Sequence, residues 1–165
     1  MALFRRTPRK VRALVTRDER VLAWAAASDG YVAVTNLGLW LPERSERLGW
    51  HQIHKATWVS PRLTVIPAVE VGEGDGYRIM ADDAPVVFAL PEPGDVPVRL
   101  RERVTRSVAY TRHHPLPGGG VRVVGRRVAG ADGLAWHVRY DESTDRDDPE
   151  IRAATASFVV AASAG

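Results

Sequence analysis

Five histidines are the side chains of this chain best suited to chemistry, because imidazole binds metals and moves protons near neutral pH. They are His51, His54, His113, His114 and His137. A metal site needs ligands that converge from rigid elements. On a strand, the odd spacing of His51 and His54 would place them on opposite faces. His113 and His114 stand beside prolines in a predicted loop, and His137 falls on a predicted strand. This spacing predicts surface histidines, and a hydrolase or metal enzyme remains an alternative if they converge on a carboxylate.

Other catalytic signatures are missing from the sequence. The chain has no cysteine, which excludes disulfides, thiolate catalysis and cysteine-ligated zinc. It also has no G-x-S-x-G and no H-E-x-x-H segment. Gly72–Gly76 contains two acids where a phosphate-binding loop needs exposed amides and a lysine, and no lysine follows Gly118–Gly120. We therefore expect a protein that is not an enzyme, with no catalytic residue, no metal and no cofactor.

The basic residues are concentrated at the N-terminus. Positions 1–20 hold seven basic and two acidic residues, a surplus of five, so a chain of net charge +3 carries −2 elsewhere. Five of them form a candidate anion-binding group, Arg5, Arg6, Arg9, Lys10 and Arg12. These could contact phosphates of RNA or DNA, or an anionic membrane that Leu3 and Phe4 would also suit. The competing interpretation is a solvated terminus that aids solubility.

Short apolar segments rich in tryptophan follow this arm. Strands are predicted at Val21–Ala27, Tyr31–Thr35, Leu39–Leu41, Arg47–Ile53 and Ala56–Val59, then from Leu63, and at Tyr77–Met80 and Val86–Leu90. Trp24, Trp40, Trp50 and Trp58 each lie within one of these segments, and Trp136 lies in a later hairpin. Because each enclosed tryptophan buries about 150–250 Å², core packing is favoured over a ligand cage.

Two helices and a hairpin are predicted after residue 95. Leu100, Val104 and Val108 recur every four residues in 98–112, and arginines fill the other faces. These arginines would extend the N-terminal patch if both lay on one side. A hairpin is predicted through residues 129–133. A last helix is predicted from Pro149, with Asp147 or Asp148 as its N-cap.

The segments VLAWA, GYVAVTNLGLWLP, RLGWHQIHKATW and LTVIPA resemble the bacterial pleckstrin-homology-like domains. In that family a strand with a T-x-x-G-L turn leads to a tryptophan followed by an isoleucine. The resemblance covers roughly residues 20–90, and the whole chain resembles a small group of actinobacterial proteins. It implies a bent antiparallel barrel of about seven strands capped by a helix, with a binding or scaffolding role. Lipid binding does not follow from such a fold.

Together these features predict an α+β, mainly β protein in three parts. Residues 1–19 form the basic arm, 20–112 the barrel with its helix, and 113–165 a hairpin-helix extension packed on the barrel. No segment approaches the roughly 20 apolar residues that span a bilayer, and a cytoplasmic location is expected. The expected function is binding of a protein partner, by an open sheet edge or a groove. Binding of nucleic acid or anionic membrane through the arm is the second hypothesis.

Overall fold

The computed structural model describes residues 5–165, so Leu3 and Phe4 lie outside the described part. The fold is α+β and mainly β, with 45% of residues in strands and 22% in helices. Its helices are α1 Arg9–Leu14, α2 Val96–Ser107 and α3 Pro149–Ser163, with a 3₁₀ turn at Trp50–Gln52. Its strands are β1 Val21–Ala27, β2 Gly30–Thr35, β3 Gly38–Trp40, β4 Leu48–Gly49, β5 Ile53–Val59, β6 Arg62–Gly74, β7 Tyr77–Asp82, β8 Val86–Ala89, β9 Val108–Leu116, β10 Gly119–Arg127 and β11 Leu134–Tyr140.

Contacts divide the chain into two compact units, and each unit is built from two separate segments. Unit 1 comprises the described residues up to Pro67 together with Ala84–Thr105. Unit 2 comprises Ala68–Asp83 and Arg106–Gly165. Strand β6 passes from the first unit into the second after Pro67. The three-part division predicted from the sequence stays a prediction, and the interleaving suggests how to test it.

Unit 1 contains two antiparallel groups of strands, β1-β2-β3-β4 and β5-β6-β8. Alternation along β2 explains how its sheet is covered on both sides. Val32 and Val34 are fully buried in the main core, which also contains Val96 and Leu100 of α2. Ala33, on the opposite face, packs in a second cluster with Val11 of α1. The four-stranded sheet therefore lies between α1 and α2.

Helix α2 is shorter than its apolar periodicity predicts. It begins at Val96 and ends at Ser107, whereas the sequence predicts 98–112. Residues from Val108 onward form β9, which pairs with β10, and Tyr110 packs edge-on against Trp136. The i, i+4 spacing of Leu100 and Val104 places Val108 on the same helical face only if the helix continues, and the chain leaves the helix before Val108.

The segment 47–53 also departs from the predicted strand. Only Leu48–Gly49 is extended, and Trp50–Gln52 forms a 3₁₀ turn. The Gln52 side chain accepts a hydrogen bond of 2.9 Å from the Gly49 backbone N–H. That local bond competes with strand pairing and ends β4 after two residues.

Unit 2 is a sheet covered on one face by α3. Its order is β6-β7-β11-β10-β9, with β7 and β11 parallel and the other pairs antiparallel. The predicted hairpin between β10 and β11 is confirmed. Val121, Val123 and Val138 form its buried core with Val159 of α3. The predicted start of the last helix is also confirmed, because the Asp148 carboxylate accepts a 2.8 Å hydrogen bond from the Glu150 N–H.

Candidate binding surfaces

The first residue of the predicted anion-binding group is held against the protein. The Arg5 guanidinium lies over the Trp24 ring, 4.0 Å from its centroid. It also donates to the Glu92 carbonyl at 3.4 Å and lies 3.9 Å from the Glu92 carboxylate. A cation over a tryptophan face contributes about 0.5–2 kcal/mol. Arg5 therefore anchors the arm to unit 1 and is less available to an external anion than the sequence suggested.

The other four members of the group are exposed. Arg6 precedes α1, and Arg9, Lys10 and Arg12 belong to it. Between residues 5 and 165, no acidic side chain pairs with any of these four. We call them the α1 basic surface. Three of these cations therefore lie on one short helix, and Arg6 lies in the segment that leads into it.

Helix α1 is attached to unit 1 by its apolar side. Val11 is fully buried against Ala33 and Trp40, and Val15 packs against the same cluster. Arg12 N–H donates to the Pro8 carbonyl at 3.0 Å, which closes the first turn. The α1 basic surface is therefore an ordered feature of the fold.

A buried carboxylate fastens the connection from α1 to β1. The Glu19 side chain is fully buried and lies 2.9 Å from the Arg47 guanidinium. It accepts hydrogen bonds from the Thr35 hydroxyl at 2.6 Å, the Trp40 indole N–H at 3.1 Å and the Thr16 N–H at 3.0 Å. Burial alone would raise the pKa of Glu19, but these hydrogen bonds and Arg47 together lower it below its usual value.

The arginines of α2 do not extend the α1 basic surface. Val96 and Leu100 place α2 on the core side of the four-stranded sheet, whereas α1 packs on the other side. Arg99 pairs with Glu102 at 3.5 Å on α2 itself. The arginines of α1 and those of α2 therefore belong to helices on opposite sides of the sheet, and they do not form the single extended patch that the sequence left open.

A groove in unit 1 runs along strand β8. Its volume is about 390 Å³, and it lies between β8 and two loops. The loop residues lining it are Ser28, Asp29, Leu41, Pro42, Glu43 and Arg44. All four residues of β8 also line it, including both the inward-pointing and the outward-pointing side chains. The groove therefore follows the edge of the strand and not one of its faces.

The backbone groups at this edge can be assigned from the register of β8 on β6. Leu90 N–H donates to the Pro61 carbonyl at 2.8 Å. Hydrogen-bonded pairs alternate in an antiparallel ladder, so Phe88 pairs with Leu63 and Val86 with Val65. The N–H and C=O groups of Val87 and Ala89 consequently point away from β6. The sequence shows the apolar strand, but only the sheet order shows that this edge is open.

The histidines do not assemble a metal site. Across residues 5–165, no three His, Cys, Asp or Glu side chains are grouped so that they could hold a metal ion. His51 lies in the 3₁₀ turn, His54 on β5 and His137 on β11, where His137 is buried. His51 and His54 therefore lie in different elements, and the opposite-face argument for two histidines on one strand does not apply to them.

His113 and His114 lie on β9 and not in a loop. His113 Nε2 is 2.9 Å from an Asp141 carboxylate oxygen. The nearby Ser143 hydroxyl donates to the Gly118 carbonyl, so its proton is not directed at His113. His114 stacks on Phe158 with ring centroids 4.0 Å apart, and its buried Nε2 has no hydrogen-bond partner within the described chain. Burial, then Arg112 and His113, lower the pKa of His114.

The tryptophans act mainly in packing, as predicted. Trp40 and Trp50 are buried, and Trp24, Trp58 and Trp136 are half-buried against the cores. Trp24 and Trp40 have second roles that the sequence did not indicate. The Trp24 ring holds the Arg5 guanidinium, and the Trp40 indole N–H donates a hydrogen bond to the Glu19 carboxylate.

The glycine-rich segments, predicted to be turns, form turns only in part, because Gly72 and Gly74 belong to β6 and Gly119 and Gly120 to β10. Asp75-Gly76 joins β6 to β7, and Pro117-Gly118 joins β9 to β10. Gly118 has a φ of 86°, and a Cβ there would meet the Ser143 carbonyl oxygen at 2.6 Å. Glycine at this position is therefore required by backbone conformation and close packing.

None of the helices found between residues 5 and 165 has the length and apolarity to cross a bilayer. Comparison of the chain with family models, with curated proteins and with solved structures gives no match.

Proposed function

We propose that this protein is a non-catalytic binding module that adds an extended segment of a partner protein to the open edge of β8. The outward-pointing N–H and C=O groups of Val87 and Ala89 carry the proposal, since they line a groove in which no strand of the described residues 5–165 lies opposite them. Addition of a strand to a sheet edge takes its affinity from such main-chain groups.

The groove provides the side-chain contacts that such binding requires. Val87 is 55% exposed and offers apolar surface, whereas Leu41 and Pro42 line the groove but are themselves buried. Asp29 and Glu43 outnumber Arg44 among the charged lining residues. An apolar or basic segment therefore fits the groove better than an acidic one, and a phosphate ligand is disfavoured there.

The arrangement of unit 1 supports placing this activity on a pleckstrin-homology-like domain. Four antiparallel strands are followed by the group β5-β6-β8 and then by α2, whose Val96 and Leu100 enter the core. We propose this family on that order of elements together with the resemblance of residues 20–90. The bent barrel belongs to the same proposal.

A substitution at the edge tests this function directly. Peptides selected on the protein from a random display library provide the probe. Val87→Pro removes one outward N–H but no bond to β6, and proline is tolerated on edge strands. Since a main-chain hydrogen bond contributes about 0.5–1.5 kcal/mol, we expect affinity to fall up to about tenfold. Val87→Ala, which keeps the N–H, is the matched control for loss of the side chain.

Amide hydrogen exchange locates the bound peptide independently. The amides of Val87 and Ala89 should exchange rapidly in the free protein and become protected when peptide binds. The amides of Val86 and Phe88 should be protected in both states, because they already bond to β6. Selected peptides that leave exchange at Val87 and Ala89 unchanged would contradict the proposal, as would a library that yields no binder.

A further inference from the structure

The α1 basic surface and the burial of the apolar side of α1 point to a second binding activity, separate from the β8 groove. We propose that this surface binds the phosphate backbone of nucleic acid without reading its sequence. It consists of the exposed cations Arg6, Arg9, Lys10 and Arg12. Guanidinium groups suit this role because their planar donors match phosphate oxygens.

These cations are held in place before any ligand arrives. Val11 is fully buried against Ala33 and Trp40, and Arg5 is bound over Trp24. Arg9 and Arg12 are three apart on the helix, which brings their Cβ atoms within about 5–6 Å. Binding therefore orders side chains only, and it avoids the larger entropy loss of ordering a flexible arm.

The same burial favours nucleic acid over a membrane. A helix that binds at a lipid interface inserts its apolar face among the acyl chains. In α1 that face is occupied, since Val11 and Val15 pack on the sheet. Among α1 residues, only Leu14 offers a large apolar side chain to solvent, at 40% exposure. The remaining interaction is electrostatic, as in contacts with a phosphate backbone.

The charge distribution also supports a polyanion at this surface. Residues 1–20 carry a surplus of five positive charges, whereas the rest of the chain carries −2. Glu19, the acid nearest α1 in sequence after Asp18, is fully buried and paired with Arg47. It therefore does little to neutralise the α1 basic surface.

Salt titration of the full chain with a short fluorescent DNA duplex tests the proposal. Four phosphate contacts predict a slope of log affinity against log salt of about −3.6. Between about 50 and about 200 mM salt, affinity should then fall about 150-fold. The triple variant Arg9→Gln, Lys10→Gln, Arg12→Gln should reduce the magnitude of the slope by about 2.7, so that the same change in salt weakens binding only about 3.5-fold.

A second triple variant controls for net charge. Arg62→Gln, Arg99→Gln, Arg101→Gln removes the same charge from exposed positions on β6 and α2. It should keep a slope near that of the unaltered protein. Thermal unfolding checks that both triple variants fold. If the α1 triple variant does not fold, the single changes Arg9→Gln and Arg12→Gln replace it, and each should lower the magnitude of the slope by about 0.9.

Vesicles of phosphatidylcholine with phosphatidylserine distinguish the two sources of phosphate. Binding to the duplex that is lost in the α1 variant and kept in the control supports the proposal. Binding to vesicles but not to the duplex overturns it, as does equal loss in both triple variants. Absence of duplex binding at about 50 mM salt, where such contacts are strong, also overturns it.

Discussion

Glu19 holds the connection between α1 and β1 in place, and this connection sets the position of the α1 basic surface. Its carboxylate accepts bonds from Thr35, Trp40 and Thr16 and lies against Arg47. Thr16 belongs to the same α1–β1 connection as Glu19, whereas the other partners belong to β2, β3 and the loop after β3. Glu19 therefore ties this connection to the sheet and fixes the position from which the α1 basic surface projects.

We expect Glu19→Gln to lower the free energy of unfolding by about 2 kcal/mol at neutral pH. The amide keeps one acceptor oxygen, but its NH₂ group faces donors and leaves the partly buried Arg47 without its counter-ion. Urea unfolding measures the loss. Asp18→Asn, at the exposed neighbouring position, should change the value by less than about 0.5 kcal/mol.

The effect of Glu19 should also depend on pH. The folded state lowers the pKa of Glu19, so the unfolded chain takes up a proton at a higher pH than the folded one. The stability from Glu19 is then complete above the unfolded pKa of about 4.3 and is lost as pH falls through the folded pKa. The gap between the native protein and Glu19→Gln should therefore narrow in acid. A gap that widened below pH about 4 would contradict this account.

At the scale of elements, the start of α3 can be predicted from the sequence, whereas the end of α2 cannot. The start of α3 follows from local signals, because a cap residue, a proline and a glutamate occur in sequence order. The end of α2 does not, since its apolar pattern runs past Ser107 into β9. Pairing with β10 there outweighs helix periodicity.

The structure chooses Asp148 over Asp147 as the N-cap of α3, and a matched pair of variants checks that choice. Asp148→Ala should lower the free energy of unfolding by about 1 kcal/mol, because the Glu150 N–H loses its acceptor. Asp147→Ala should have an effect within about 0.5 kcal/mol, since Asp147 is exposed. Thermal or urea unfolding compares the two, and equal losses would refute the assignment.

At the scale of the whole molecule, the interleaving of the two units bears on where the chain can be cut. The predicted boundary at residue 112 falls inside β9 and separates β7 and the start of β9 from β10, β11 and α3. Tyr77 and Ile79 of β7 pack with Val121 and Val138 in the core of unit 2. A chain ending at 112 would leave those apolar residues uncovered.

We therefore expect a fragment of residues 1–112 to be poorly folded or aggregated. Circular dichroism, size-exclusion chromatography and proteolysis measure this. The comparison fragment joins residues 1–67 to 84–105 through a short linker and retains the core of unit 1. It should resist proteolysis better than the fragment 1–112. A compact, protease-resistant 1–112 fragment would instead support the predicted domain limits.

The sequence by itself determined most strands, the hairpin of β10 and β11, the cap of α3, the packing role of the tryptophans and the cluster of cations near the N-terminus. Each of these depends on residues close together in the chain, where side-chain periodicity and turn chemistry operate. Only the tertiary structure shows that α1 packs on the sheet through Val11 and that Arg5 lies over Trp24. It also places α2 on the opposite side of the four-stranded sheet from α1. It also decided that the outer edge of β8 is open. These features depend on which distant segments come into contact, and that choice is made by the packing of the whole core and not by any local pattern.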